Sequence, residues 1–414
     1  MPDTQRWLRR IYLSEAISNI GSRLTAIALS YQLYKQTGRG ADLGWYYLML
    51  TLPGVIFSNP FGRLADRYGR KWLLVYADST RAAILLVMAF LVPPQAAFWL
   101  FPLVFLSQVF RTLYDVAVTP LVSDLSGDEA FLVKATANLK MIFNASFVLG
   151  LGLGGFVAAY LEPRYVFMID AATFVFSAAL IRTIPIKGAR TPGYGEVLLA
   201  MFHWRDYARW FHLVWEGFQL IRQQKYRKAI IILEFMRDFG YGILNPLLSL
   251  WPQALFAGIP NSLGISLGMR GGGSILGGLF TSNYISQRFS NRGFFFRLCV
   301  AFVMAELAAM AISFTSNRFI IYIIGSLAAS FFMNAFEVSA FARYVSTAQQ
   351  HEKGALVGFF RFTMQLTLTL GMGVYILIVD RMDIRFIPLI TLSVLVMSAL
   401  MLIILRRSFE SDQP

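Results

Sequence analysis

Apolar residues run along this chain in twelve long blocks, separated by glycines, prolines or short polar clusters. The blocks fall at 9–34, 42–61, 72–93, 97–122, 133–160, 164–184, 228–257, 262–285, 294–314, 318–343, 354–379 and 384–405. A helix needs roughly 20 apolar residues to cross the hydrocarbon layer of a bilayer, and each block reaches that length. Most connections are short, which suits antiparallel neighbours in a bundle. The pattern predicts an all-α polytopic membrane protein with twelve transmembrane helices. One connection, at 185–227, is long and divides the chain into a first six-helix bundle over 1–184 and a second over 228–414 with a short tail. The halves also echo one another. The basic stretch Arg67-Tyr68-Gly69-Arg70-Lys71 after the second span has a degraded counterpart, Arg288-Phe289-Ser290-Asn291-Arg292, after the eighth. The same offset lays span 1 on span 7 and span 3 on span 9, the plan of parallel-repeat transporters.

Composition supports this reading. Charged residues make up 14% of the chain and apolar ones 57%, too little charge for a soluble domain of 414 residues. The net charge of +14 would suggest nucleic acid in a soluble protein, but the basic residues lie between the apolar blocks and read as topology. With the amino terminus in the cytoplasm, about 25 Lys and Arg fall on the cytoplasmic side and 6 on the other, so both termini are expected there. The stretch after the first ten residues is too long and too polar for a signal-peptide core. The one cysteine, Cys299, allows no internal disulfide.

The middle connection carries Phe202-His203-Trp204-Arg205-Asp206-Tyr207-Ala208-Arg209-Trp210-Phe211-His212, a mixture suited to an amphipathic helix lying in the cytoplasmic interface. His203, His212 and His351 are expected at that interface and not as ligands. Their spacing makes no metal site, and no phosphate-binding Gly-Lys-Ser/Thr loop is present, so neither a metal nor another cofactor is expected.

The most specific local signal is Gly62-Arg63-Leu64-Ala65-Asp66-Arg67-Tyr68-Gly69-Arg70-Lys71. Gly62 and Gly69 suit a tight reversal where the second helix ends. Asp66 suits a neighbouring helix N-terminus, and the arginines can grip carboxylates in two-pronged fashion. This stretch resembles the signature loop of the major facilitator superfamily, and length and repeat agree over essentially the whole chain. The resemblance implies a cytoplasmic latch that stabilises the outward-open state, with Asp66 facing the start of span 11 near Gly354, Arg67 in the same loop, and Arg70 reaching Asp124. Tyr31-Gln32-Leu33-Tyr34-Lys35-Gln36-Thr37-Gly38, Leu52-Pro53-Gly54, Asp78-Ser79-Thr80-Arg81, Phe167-Met168-Ile169-Asp170-Ala171-Ala172-Thr173-Phe174 and Trp215-Glu216-Gly217-Phe218 resemble the macrolide-efflux and siderophore-exporter branch. Gly150-Leu151-Gly152-Leu153-Gly154-Gly155 is similar to the antiporter motif of span 5, with Leu151 where that motif has proline. Close packing of Gly150, Gly154 and Gly155 between helices explains the same glycines.

A charge inside a spanning helix is costly, so each is a functional candidate. Glu15, Asn19 and Arg23 lie within about 80° on span 1, with Ser22 beside them. The resemblance places span 1 on the central cavity, so this stripe is the leading substrate or proton site; a structural network tying span 1 to its neighbours is the other reading. Span 4 offers Gln108, Arg111 and Asp115, the last two able to pair. Span 7 opens with Glu234, Arg237 and Asp238, followed by Asn245-Pro246, where the missing N–H permits bending. Span 10 carries Asn334 and Glu337, and span 11 carries Arg361 and Gln365. Asp78 and Arg81 read as a local pair with a packing role, and Glu306 has no partner on its own helix. As proton carrier Glu15 ranks first and Glu337 second, with Asp115 and Glu234 behind.

The expected function is a secondary transporter and not an enzyme. It would export a hydrophobic or amphipathic drug-, macrolide- or siderophore-like molecule by proton antiport, as a monomer in the cell membrane with no nucleic-acid partner. A lipid or lysophospholipid transporter is the alternative. A non-transporting receptor or enzyme would need a soluble signalling domain or clustered catalytic groups, and neither is visible.

Overall fold

The computed structural model describes residues 2–91, 97–125, 129–185, 192–201, 204–281, 292–346 and 352–406. Over these residues the chain forms fourteen α-helices: α1 (Pro2–Thr37), α2 (Gly40–Arg67), α3 (Arg70–Leu91), α4 (Leu100–Leu125), α5 (Glu129–Tyr160), α6 (Pro163–Arg182), α7 (Tyr194–Met201), α8 (Trp204–Gln223), α9 (Lys225–Leu255), α10 (Ser262–Phe280), α11 (Arg292–Thr315), α12 (Phe319–Ser346), α13 (Lys353–Ile378) and α14 (Ile387–Ile404). Twelve of them correspond to the apolar blocks, and α7 and α8 occupy the long connection. The basic echo at 288–291 and the predicted end of the eighth span lie outside the described residues.

Seven helices are, among the described residues, long and apolar enough by composition alone to cross a membrane: α3, α4, α6, α11, α12, α13 and α14. Those that fall short include α1 and α9, which carry buried ionisable residues, and α10, which is rich in glycine. α1 stops at Gly38, whose φ of +63° and N–H to the Tyr34 carbonyl make a left-handed helix end. α2 corrects an expectation. It continues through Pro53 and Pro60 to Arg67, so Gly62 lies inside the helix and does not end it. A Cβ built on Gly62 would touch nothing within 4 Å, so neither turning nor packing requires glycine there. The reversal is made by Tyr68 and Gly69 alone, closed by Tyr68 N–H to Leu64 O and Trp72 N–H to Gly69 O.

The chain divides into two compact units, residues 1–38 with 49–210, and residues 39–48 with 211–414. In unit 1 the packed pairs are α1 with α5 and α6, and α3 with α4 and α6. Unit 2 repeats that plan, with α9 on α13 and α14 and α11 on α12 and α14. α10 also lies along α12.

Small residues set how closely these helices approach. On α10, a Cβ at Gly273 or Gly277 would fall 2.1 Å from the carbonyl oxygens of Leu327 and Phe331 on α12. Gly242 of α9 and Gly371 of α13 face each other in the same way, with backbone atoms 2.2 Å from each hypothetical Cβ. In unit 1 Gly150 lies on Arg23 and Gly154 on Ile27, so α5 sits directly against α1. The first turns of α2 belong to unit 2, where the Gly40 N–H donates to Asp380 at 2.9 Å.

The long connection is shared between the units. Its first part is tied to α3, since Tyr76 donates to Pro192 O at 2.8 Å and Thr80 bonds Tyr194 at 2.7 Å. Residues 202 and 203, where the interfacial helix was expected to begin, lie outside the described residues, as does His351. α8 runs well past the expected stretch to Gln223. Its last turns do not lie free on a surface, because Ile221 joins the unit 2 core with Phe295, Cys299, Phe336 and Phe360. His212 is exposed on α8.

Candidate functional site

In unit 1 the polar side chains predicted on separate spans form one connected chain. Glu15 and Asn19, one turn apart on α1, are 4% and 2% exposed. The Asn19 amide donates to Glu15 Oε1 at 2.6 Å. From α4, Arg111 reaches the same Oε1 at 3.4 Å and Asp115 at 2.8 Å. One guanidinium thus serves two carboxylates, one buried and one half-exposed, while Glu15 Oε2 has no hydrogen-bond partner among the described residues. Arg23 and Arg111 both lie over the ring of Phe143, at 5.8 and 6.0 Å.

The network then crosses to α3 and α6. Arg81 donates to Ser22 at 3.1 Å and stacks on Phe174 at 3.9 Å, and Asp78 lies 3.8 Å from it. Ser177 donates to the other Asp78 oxygen at 2.5 Å. Asp170, also buried, accepts from Thr173. This enlarges the expected role of Asp78 and Arg81: they pair, and they also join α1, α3 and α6. Asp170 and Ser177 were missed as polar partners because nothing on α6 itself signals what they meet.

Unit 2 has a different charge balance. Arg237 of α9 meets Glu306 of α11 at 2.9 Å, and Tyr241 donates to the other Glu306 oxygen. Glu306 is therefore partnered by Arg237 and Tyr241 of α9, which no same-helix reading could supply. Arg237 also stacks on Phe336 of α12 at 4.0 Å. Glu234 lies one turn earlier on α9, 3% exposed, and interacts electrostatically with Arg237, Glu306 and Glu337. Asp238 interacts with Glu234, Glu337 and Arg237. Glu234 Oε1 and Asp238 Oδ2 have no hydrogen-bond partner among the described residues. Four carboxylates thus gather about one guanidinium, with Arg270 of α10 acting on Tyr241 beyond them. Glu234 and its neighbours do not open the helix as expected, since α9 begins at Lys225. Asn245 is half-buried before Pro246, Asn334 is half-buried on α12, and on α13 Gln365 is half-buried while Arg361 is exposed. No group of His, Cys, Asp and Glu among the described residues could hold a metal ion.

At the end of unit 1 where α2 meets α3, Arg70 gathers the chain around itself. Its guanidinium bonds Asp124 at 2.5 Å, the Pro120 carbonyl at 3.1 Å, the Ala65 carbonyl at 3.3 Å and Asp66 at 3.4 Å. Asp66 is otherwise exposed, and Arg67 is exposed beside it. One arginine therefore ties the end of α2 to the end of α4, as a fork of donors can and an ammonium cannot.

A sequence model described as the Major Facilitator Superfamily matches residues 11–372. The chain belongs to that superfamily. Macrolide efflux protein A of Streptococcus pyogenes is 24% identical over 272 residues, covering 65% of this chain and 64% of that protein. The aligned region thus spans just under two-thirds of that relative's length. An uncharacterised MFS-type transporter of Bacillus subtilis, YfiS, is 26% identical over 194 residues, 45% of either chain. Among solved structures, the nucleoside transporter NupG superposes with a TM-score of 0.71 at 17% identity, covering 98% of this chain and 99% of that one. A bacterial homologue of the human lysosomal transporter Spinster gives 0.72 at 14% identity, with 100% and 99% covered. At these identities the structures establish the fold alone, that of twelve membrane-spanning helices in two bundles.

Proposed function

We propose that this MFS protein exports an amphipathic, macrolide-like small molecule in exchange for protons, by alternating access of its two bundles. The observation that carries the proton half is the acid excess in unit 2. Glu234, Asp238, Glu306 and Glu337 face Arg237, with Arg270 acting on Tyr241 beside them and Arg361 exposed on α13. Burying an ionised carboxylate without a partner costs several kcal/mol, so this cluster needs protons or a cationic guest to be neutral. Unit 1 is closer to balance, with Arg23, Arg81 and Arg111 set beside Glu15, Asp78, Asp115 and Asp170. We therefore assign the exchanged proton to Glu234, Asp238 and Glu337, ahead of Glu15. The macrolide half is supported by the relative named Macrolide efflux protein A.

Both termini face the cytoplasm in this reading, because the basic connections then lie inside. Arg70, Asp66 and Asp124 act as the cytoplasmic latch, and the protein works as a monomer. Uptake of a labelled macrolide into inverted vesicles tests the proposal. Wild-type uptake should rise several-fold with an inward-acid pH gradient, and Glu234→Gln with Asp238→Asn should remove that response. Uptake indifferent to the gradient in the wild type would eliminate proton antiport; no uptake of any macrolide would eliminate the substrate class.

A further inference from the structure

Unit 1 contains a cavity of about 870 Å³ at the end where α1, α3 and α5 finish and α4 and α6 begin. It is lined by none of the Glu15, Arg111, Asp78 or Arg81 side chains, so it is separate from the polar network. Its size is within the range of small-molecule sites. Its charged wall comes from Lys35 at the end of α1, Arg164 in the first turn of α6, and Glu162 just before that helix.

Lys35 and Arg164 have no carboxylate partner among the described residues. The ammonium lies over Tyr31 at 5.9 Å and the guanidinium over Phe90 at 4.9 Å, so both are held by aromatic faces with hydrogen-bonding capacity to spare. Two cations against one carboxylate favour an anion.

The surroundings say what kind of anion. Phe90 belongs to a stripe of α3 that includes Leu86, Val87 and Leu91, residues recurring at helical spacing with 37–72% of their surface exposed. Such a stripe faces lipid in a membrane protein. Around the cavity mouth Phe98, Trp99, Tyr160 and Tyr165 are more than half exposed, the aromatic composition of a bilayer–water boundary. A cationic recess at that boundary, continuous through Phe90 with an apolar stripe, matches a head group and an acyl chain.

We infer that this cavity seats an anionic phospholipid, its phosphate between Lys35 and Arg164 and a chain along the α3 stripe. The site is built within one unit, and the lipid is a resident of the wall and not transported cargo. The inference does not depend on the proton or macrolide assignments.

The test uses the full-length protein purified in detergent, titrated with phosphatidylglycerol, phosphatidylcholine or glycerol phosphate and read by native mass spectrometry and thermal shift. Phosphatidylglycerol should bind in preference to phosphatidylcholine, and glycerol phosphate should have no effect at the same concentration. Lys35→Gln with Arg164→Gln should weaken phosphatidylglycerol roughly 10- to 30-fold, at about 1 kcal/mol for each cation near an anionic lipid. Both side chains are exposed, so the fold should survive, and Arg381→Gln with Arg385→Gln in unit 2 should bind as wild type. Equal binding of the two lipids, or unchanged binding by the Lys35/Arg164 variant, would overturn the inference. Stabilisation by glycerol phosphate alone would make this a free-phosphate site and overturn the lipid assignment.

Discussion

Arg237 of α9 and Glu306 of α11 meet at 2.9 Å with side chains 2% and 1% exposed. Such a pair adds little net stability over an apolar substitute, yet removing one member strands the other charge in the interior. Arg237→Gln leaves Glu306 buried beside three further carboxylates and should therefore cost about 3–5 kcal/mol. Thermal unfolding in detergent should show a large drop in midpoint, well beyond that of Tyr241→Phe, which removes only a donor from the same carboxylate. Equal midpoints for the two variants would refute the ranking.

Two glycines of α10 make a paired test. A Cβ at Gly277 would lie 2.1 Å from the Phe331 carbonyl oxygen, which is backbone and cannot swing aside. Gly277→Ala should destabilise by about 1–3 kcal/mol as α10 and α12 are forced apart. Gly272 has nothing within 4 Å of its hypothetical Cβ. Gly272→Ala should stabilise by about 0.5–1 kcal/mol through helix propensity and a less flexible unfolded chain. The sign of the difference is the prediction, and chemical denaturation of both variants measures it.

Ser177 satisfies one oxygen of Asp78, a residue with no exposed surface. Ser177→Ala should cost about 1–3 kcal/mol, because the acceptor stays buried after its donor is gone. Ser177→Thr keeps the hydroxyl and should recover part of the loss. A midpoint for Ser177→Ala matching the wild type would show that this hydroxyl carries no weight.

Arg70→Lys keeps the charge and loses the fork that binds Asp124, Pro120 and Ala65 together. Because the ion pair is partly exposed, stability should change by no more than about 1 kcal/mol. Transport should fall several-fold all the same, if this arginine sets the balance of conformations. Vesicle uptake and a melting curve on one preparation separate the two effects.

The fold was legible because a bilayer imposes a length on every spanning helix, and the apolar blocks report that length directly. The helix limits were less legible where polarity and helicity part company. α2 runs on to Arg67 through two prolines, since Tyr68 and Gly69 suffice to turn the chain. At the site, same-helix spacing found Glu15 with Asn19 and Arg111 with Asp115. It could not find Glu306 with Arg237, Asp78 with Ser177, or Arg81 with Ser22, because those partners come from other helices and only packing brings them together. The charge excess of unit 2 was hidden for the same reason, its four acids lying on three helices.

Cys299 has consequences for labelling chemistry. It is the only thiol in the chain, 1% exposed in the core that joins α8, α9, α11, α12, α13 and α14. Water-soluble maleimides and methanethiosulfonates need an accessible thiolate, so the natural protein should be almost inert to them. A cysteine introduced at exposed Lys35 or Arg164 would then be the one reactive site, with no background to engineer away. Distance probes, accessibility maps and fluorescent reporters of that site can be built directly on the wild-type sequence.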